Sequence, residues 1–282
     1  MQTTRIPAKK RLGRFAINTM FILIGMTFLF PLLWMVNLSF KSIEDIYNRP
    51  FGLPQPFVPE NYINALEEFN FPVYFMNSVI YSVFSVCIIL LFGSMLAYFL
   101  ARMRFRWSGL IMNYIMLGMV VPSSVTIIPI YMILQALGLK NTRPGLILVY
   151  SAFGIAGTVV MMYAFLRSLP IELEEAAVVD GCSLYRAFFS IILPCIKPAL
   201  FTRAIIEFMG VWNDFFIAYV LTSSDRLKTL QIGIMSFFVN IGTTQWGTIG
   251  AAMVLSSLPI LILYLLFSEQ IENALTAGAI LK

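Results

Sequence analysis

Residues 170–198 read PIELEEAAVVDGCSLYRAFFSIILPCIKP, and they interrupt a chain that is otherwise mostly long apolar runs. Pro170 suits the first turn of a helix, where its missing N–H costs nothing. Glu172, Glu174 and Glu175 follow at the end of a helix dipole that favours carboxylates. Asp180-Gly181 predicts a stop, since glycine takes the left-handed conformation that helix ends use. Ser183 is placed to cap a second helix. Leu184, Phe188, Ile191 and Ile192 give that helix one apolar face, and Pro194 is expected to end it. Two short helices meeting at a glycine corner make a compact, exposed knob.

Outward from the knob, the composition sets the class. Of 282 residues, 59% are hydrophobic and 12% charged, and the mean hydropathy is +0.84. That balance predicts an all-α, polytopic membrane protein rather than a soluble domain. The expected organisation is a basic tail at 1–14 and one transmembrane domain at 15–282. Histidine is absent, which excludes histidine metal sites and Ser-His or Cys-His catalysis. Cys87, Cys182 and Cys195 have no CxxC spacing and read as reduced thiols. No G-x-x-x-x-G-K-[ST] loop occurs, so ATP is not expected to bind this chain in the usual way. The basic balance points to membrane orientation, not to nucleic acid.

Six apolar runs are long enough to cross a bilayer, at about 15–40, 74–101, 110–136, 145–166, 199–221 and 247–267. Pro31 is expected to bend the first, and Pro122 and Pro129 to interrupt the third. Residues 41–68 and 222–246 read as loops on the outer side, and 137–142 as an outer turn. Six crossings put both termini inside. Counted on that map, thirteen Lys and Arg lie inside and six outside. This bias fits the positive-inside rule and places the 168–198 loop in the cytoplasm.

The fifth run is the least apolar. Arg203, Glu207, Gly210 and Asp214 recur at i, i+4, i+7 and i+11, one face of a helix. Ionisable groups within a membrane mark pathways by default. Asn213, Asp214, Trp212 and Glu207 are therefore candidate lining residues of a substrate path. Ser123 and Ser124, beside Pro122, are weaker ones. The alternatives are an Arg203–Glu207 structural pair, contacts to a partner subunit, and serines bonded to their own helix.

Residues 175–194 resemble the EAA loop of ATP-binding-cassette (ABC) importer permeases. Glu175-Ala176-Ala177, three residues, Gly181, nine residues and Ile191-Ile192-Leu193-Pro194 match at every spacing. The surrounding form is similar to that of carbohydrate importers, except for Leu169 where that pattern has isoleucine. Asn61-Tyr62, Asn77-Ser78, the turn at 137–142, Trp212-Asn213-Asp214 and the ending at 275–279 resemble the same group. Leu281 and Lys282 depart from its usual Lys-Gly terminus.

The resemblance implies a maltose-transporter-like permease in the cell membrane, carrying a sugar or oligosaccharide. It implies a second homologous permease, two ATPase subunits that bind ATP and magnesium, and an extracellular or periplasmic solute-binding protein. It assigns Glu175, Ala176, Ala177, Asp180, Gly181, Ile191, Leu193 and Pro194 to ATPase coupling. Two rivals stay open: a proton-coupled carrier using Glu207 and Asp214, and an ABC permease for a polyol, glycerol phosphate or amino acid. An intramembrane enzyme lacks a nucleophile–base pair.

Overall fold

The computed structural model describes residues 8–67, 70–103, 105–239 and 245–280. Arg5, Arg104 and Lys282 of the charge count, and Leu281 of the ending, lie outside the described residues. Among the described residues there are helices and turns and no strand. The chain divides into two compact units, residues 1–69 with 237–257 and residues 70–236 with 258–282.

The first unit holds α1 (Ala8–Ser39), α2 (Ile43–Asn48), α3 (Glu60–Glu67) and the start of the last helix. Helix α1 runs through Pro31 without interruption. Segment 41–68 is not the plain loop the prolines suggested. Ser42 caps α2 by accepting from the Asp45 N–H, a standard satisfaction of an orphan donor. Asn61 donates to the carbonyls of Ser39 and Lys41 at 2.9 and 3.0 Å, and the Tyr62 and Ser39 hydroxyls are 2.8 Å apart. The Asn61-Tyr62 pair thus closes the end of α1.

The second unit is built on α4 (Phe71–Arg102) and α7 (Arg143–Ser168). They are its most extensive helix pair, and a methyl built on Gly93 would run into the Thr158 side chain. Small residues that let backbones approach drive such pairing in lipid. Between them come α5 (Ser108–Val120) and α6 (Ser123–Ala136), bent by 103° at Pro122. The third run is therefore a corner, not an interrupted straight helix: Pro122 removes a backbone donor and forces extended backbone. Pro129, by contrast, sits inside α6. The chain continues through α8 (Glu172–Val179), α9 (Leu184–Ala187), a π turn (Phe188–Ile192), α10 (Leu193–Cys195), α11 (Lys197–Asn213) and α12 (Phe216–Leu221).

Last come α13 (Leu230–Val239) and α14 (Trp246–Ile280). Segment 222–246 thus contains a ten-residue helix where a loop was expected. Among the described residues four helices are long and apolar enough to cross a membrane: Ile17–Ser39, Phe71–Arg102, Arg143–Ser168 and Trp246–Ser268. Two bent pairs, α5 with α6 and Leu184–Cys195 with α11, raise the number to six if each is one span.

Candidate functional site

The knob forms as a glycine corner, with two changes. Helix α8 starts at Glu172, two residues after Pro170, because the Ile171 carbonyl collects the N–H groups of Glu174 and Glu175. At its end Asp180 N–H bonds the Ala176 carbonyl, Gly181 N–H that of Val178, and Cys182 N–H that of Ala177. Gly181 sits at φ +77, with no atom within 4 Å of where a Cβ would stand. Its requirement is conformational, not steric. Ser183 accepts from the Arg186 N–H and caps α9.

Pro194 does not end the second helix, which continues to Cys195. The π turn is the reason: Leu193 N–H reaches back five residues to the Phe188 carbonyl. That wider ring takes the preceding carbonyls out of the path of the proline ring.

Glu175, Ala176, Asp180, Gly181 and Pro194 are exposed, Ile191 and Leu193 half-buried, and Ala177 buried. Beside them stand residues the motif does not single out. Val178, Val179, Leu184 and Tyr185 are 61%, 85%, 54% and 74% exposed, four large apolar side chains uncovered on either side of the corner, as at an interface. The inner side of the knob packs Phe188 against Tyr98 of α4 at 5.1 Å between rings. Glu174 turns the same way, with its Oε1 2.7 Å from Arg102 Nε.

The stripe on the fifth run is partly rebuilt. Arg203 pairs with Glu207 one turn on, donates to the Thr158 hydroxyl at 3.0 Å, and approaches the Gly154 carbonyl at 3.5 Å. Two glycines of α7 make the room. A Cβ on Gly157 would strike the Arg203 guanidinium, and one on Gly154 the Glu207 carboxylate.

Asp214 is not on the helix. Helix α11 stops at Asn213, and the Asp214 carboxylate caps α12 instead, accepting from Ala218 N–H at 3.0 Å and Ile217 N–H at 3.4 Å. The Tyr150 hydroxyl donates to it at 2.7 Å. The expected single helix over 199–221 is thus broken, because this side chain supplies a local acceptor that ends one helix and starts the next.

Glu207, Gly210 and Asp214 still meet, lining a cavity of about 200 Å³ with Tyr150 and Gly154. Arg203 reaches Glu207 and Gly154 from the other side, and is the single charged residue lining an apolar cavity of about 800 Å³ beside α5, α6 and α7. Trp212 is only 1% exposed, held by Phe75 and Phe208, each 5.5 Å away ring to ring. Asn213 is exposed. Ser123 and Ser124 open α6 just past the corner and do not line the Glu207–Asp214 cavity. Tyr150, Thr158 and the two glycines were missed. The Gly-x-x-Gly spacing at 154 and 157 was the signal for them, since small residues place helices in close contact.

At the far end of α4, Asn77-Ser78 has a plain structural task. Asn77 donates to the carbonyls of Arg226 and Lys228 at 2.9 and 3.0 Å, and the Ser78 hydroxyl accepts from Leu230 N–H at 2.9 Å. Among the described residues, no three His, Cys, Asp or Glu side chains cluster as a metal site would need.

Residues 89–276 match the family described as binding-protein-dependent transport system inner membrane component. The chain is 37% identical over 262 residues to the diacetylchitobiose uptake system permease protein NgcG of Streptomyces coelicolor, covering 93% of this chain and 87% of that protein. It is 32% identical to the trehalose/maltose transport system permease protein MalG of Thermococcus litoralis, covering 92% and 94%. Its fold matches a chain in the crystal structure of a bacterial ABC transporter involved in the import of the acidic polysaccharide alginate. That match has a TM-score of 0.86 at 23% identity and covers 95% of this chain and 99% of that one.

Proposed function

The chain belongs to the family of binding-protein-dependent transport system inner membrane components, and from its relatives in diacetylchitobiose and trehalose/maltose uptake we propose that the importer it serves carries a carbohydrate. It is a multi-pass membrane permease. We read residues 15–282 as one permease domain with six crossings of the cell membrane and both termini in the cytoplasm. The excess of Lys and Arg on the inner side of that map supports this. The chain performs no catalysis in this reading. ATP and magnesium bind to two partner ATPase subunits, a second related permease completes the path, and an external binding protein delivers the sugar.

One observation carries the reading: the exposed corner at Glu175–Gly181, with its uncovered apolar neighbours Val178, Val179 and Tyr185. A patch of that kind on the inner side suits the groove of an ATPase. Movement of the ATPases on binding ATP then biases the permease between inward- and outward-facing states. Glu207 and Asp214, with Tyr150, are the polar groups this chain offers to a sugar.

The test is sugar uptake by the purified complex in proteoliposomes with binding protein and internal ATP. Gly181→Val forces a β-branched residue to a positive φ, and Glu175→Lys reverses a charge on the exposed face. Both are expected to insert normally and lose transport, with ATPase subunits detached or unresponsive to loaded binding protein. Wild-type uptake in both would remove the loop from the coupling role. Uptake driven by a pH gradient without ATP would favour a proton-coupled carrier instead.

A further inference from the structure

We propose that α4 is the rod that carries motion of the 168–198 loop across the membrane, gripped at its inner end through Arg102 and Glu174 and at its outer end through Asn77. This rests on the reading of that loop as the ATPase-docking element.

The inner grip is the unusual contact. Five ion pairs occur among the described residues, and four of them join residues three or four apart. Arg102–Glu174 alone ties distant parts of the chain. The two side chains are 10% and 14% exposed, so water screens the pair little; the contact is one of charge rather than a hydrogen bond, since neither Arg102 Nε nor Glu174 Oε1 has a hydrogen-bond partner. Tyr98 adds its hydroxyl to the other Glu174 oxygen at 3.4 Å, and Arg102 Nη2 donates to the Leu169 carbonyl at 3.0 Å. Arg102 therefore holds the chain on both sides of Pro170. Packing offers α8 little else, since Ala177 is its one buried residue while Leu173, Val178 and Val179 stay uncovered. Glu174 is also not one of the residues that make up the EAA pattern, so the motif does not account for it.

The rod itself is unbroken. Asn77 and Arg102 stand 25 residues apart on one helix, about 38 Å at 1.5 Å per residue. Packing along α7 stiffens it. At the outer end four consecutive-turn side chains grasp segment 225–230. Tyr74 hydroxyl meets Asp225 at 3.0 Å, Tyr81 hydroxyl the Leu227 carbonyl at 2.9 Å, and Asn77 and Ser78 hold the backbone at 226, 228 and 230. A contiguous chain of packed and hydrogen-bonded groups is what energetic coupling between distant sites can travel along.

The experiment reads sugar transported per ATP hydrolysed, using the assembled complex with its binding protein in proteoliposomes. Glu174→Gln keeps the shape and removes the charge, and Asn77→Ala loosens the outer grip by removing its bonds to the carbonyls of Arg226 and Lys228. Each is expected to lower the ratio by at least about fivefold, the small end of measured coupling factors, with ATPase subunits still bound and hydrolysing. The double variant should be no worse than the poorer single one, because both cut the same rod. Arg102→Glu combined with Glu174→Arg should recover part of what either reversal loses.

An unchanged ratio in either single variant overturns the proposal, as does a double loss equal to the product of the two. Detachment of the ATPase subunits by Glu174→Gln would make Glu174 a docking contact and overturn it too. Gly181→Val, run alongside, separates the two readings. If it uncouples while Glu174→Gln does not, the rod fails and the docking loop stands. If Gly181→Val is harmless, the docking reading falls and the rod with it.

Discussion

Helices α1 and α7 are both long and apolar enough to cross a membrane, yet they are used in opposite ways. Over the most apolar stretch of Ile17–Ser39 no residue is buried, whereas half of the corresponding stretch of Arg143–Ser168 is. Apolar content does not separate them. What the small residues meet does: on α7 Gly154 and Gly157 lie against Glu207 and Arg203, while Gly25 of α1 faces open space among Phe21, Phe28 and Phe30. Lipid is as apolar as a leucine side chain, so helices in it associate through close packing and polar contacts, not through hydrophobicity. Length shows that a helix belongs in the membrane; the spacing of small residues shows which helices it touches.

The strongest way to break this contrast is to fill one glycine on each helix. Gly157→Leu would drive Arg203 off Thr158 and Glu207. Breaking a buried pair costs about 3–5 kcal/mol, so the purified complex should lose most of its thermal stability. At Gly25 a Cβ would have nothing within 4 Å, and Gly25→Leu should change stability by no more than about 0.5 kcal/mol. Equal melting of the two variants would refute the contrast.

A smaller effect sharpens it. Asp214→Ala removes the cap of α12 and the partner of Tyr150, and should cost about 1–3 kcal/mol. It should also raise the half-saturating sugar concentration or slow uptake. Glu207→Gln keeps the shape and much of the hydrogen bonding, and ATP-dependent uptake should survive. Loss of all uptake in Glu207→Gln, with Asp214→Ala unaffected, would reverse the roles given to the two carboxylates.

The smallest effect lies beside α1, outside the membrane. Burial works to raise the Asp45 pKa, but the Gln55 N–H, the Arg49 guanidinium and the Lys41 ammonium outweigh it and hold the carboxyl below its ordinary value. A lowered pKa stabilises the fold at all pH above the unfolded value. That contribution is lost as pH falls through the folded value, below about pH 4. Amide exchange across residues 41–59 should therefore quicken in acid, and Asp45→Asn should flatten that dependence while leaving uptake near wild type. An unchanged acid response in the variant would assign it to another group.

What could be read in the sequence was local or long. The Gly181 corner and the Ser183 cap depend on neighbours within a few residues, and the apolar runs of α4 and α7 need only length. The break at Asp214 was not legible, because no glycine or proline marks it and its carboxylate is fixed by Tyr150, 64 residues earlier. Glu174 and Arg102 stand 72 residues apart with nothing local to pair them. The α13 run, LQIGIMSFFV, is too short for a crossing and too apolar for a loop, so length and polarity gave opposite answers. Trp212 reads as a sugar-stacking face until Phe75 and Phe208 are seen to occupy its sides.

The π turn at Phe188–Ile192 has a consequence for how such chains diverge. Its hydrogen bond spans five residues where an α-turn spans four, so the segment is a helix carrying one extra residue. Loss of one residue there restores an ordinary α-turn and returns the Pro194 ring to a clash with the preceding turn. A residue lost instead from the regular turns on either side has no such slack, and swings everything after it by about 100°. Arg203 and Glu207 would then leave the notch at Gly154 and Gly157. Length changes in the regular turns of 182–203 are therefore tied to that notch, whereas a loss at the π turn is felt first at Pro194.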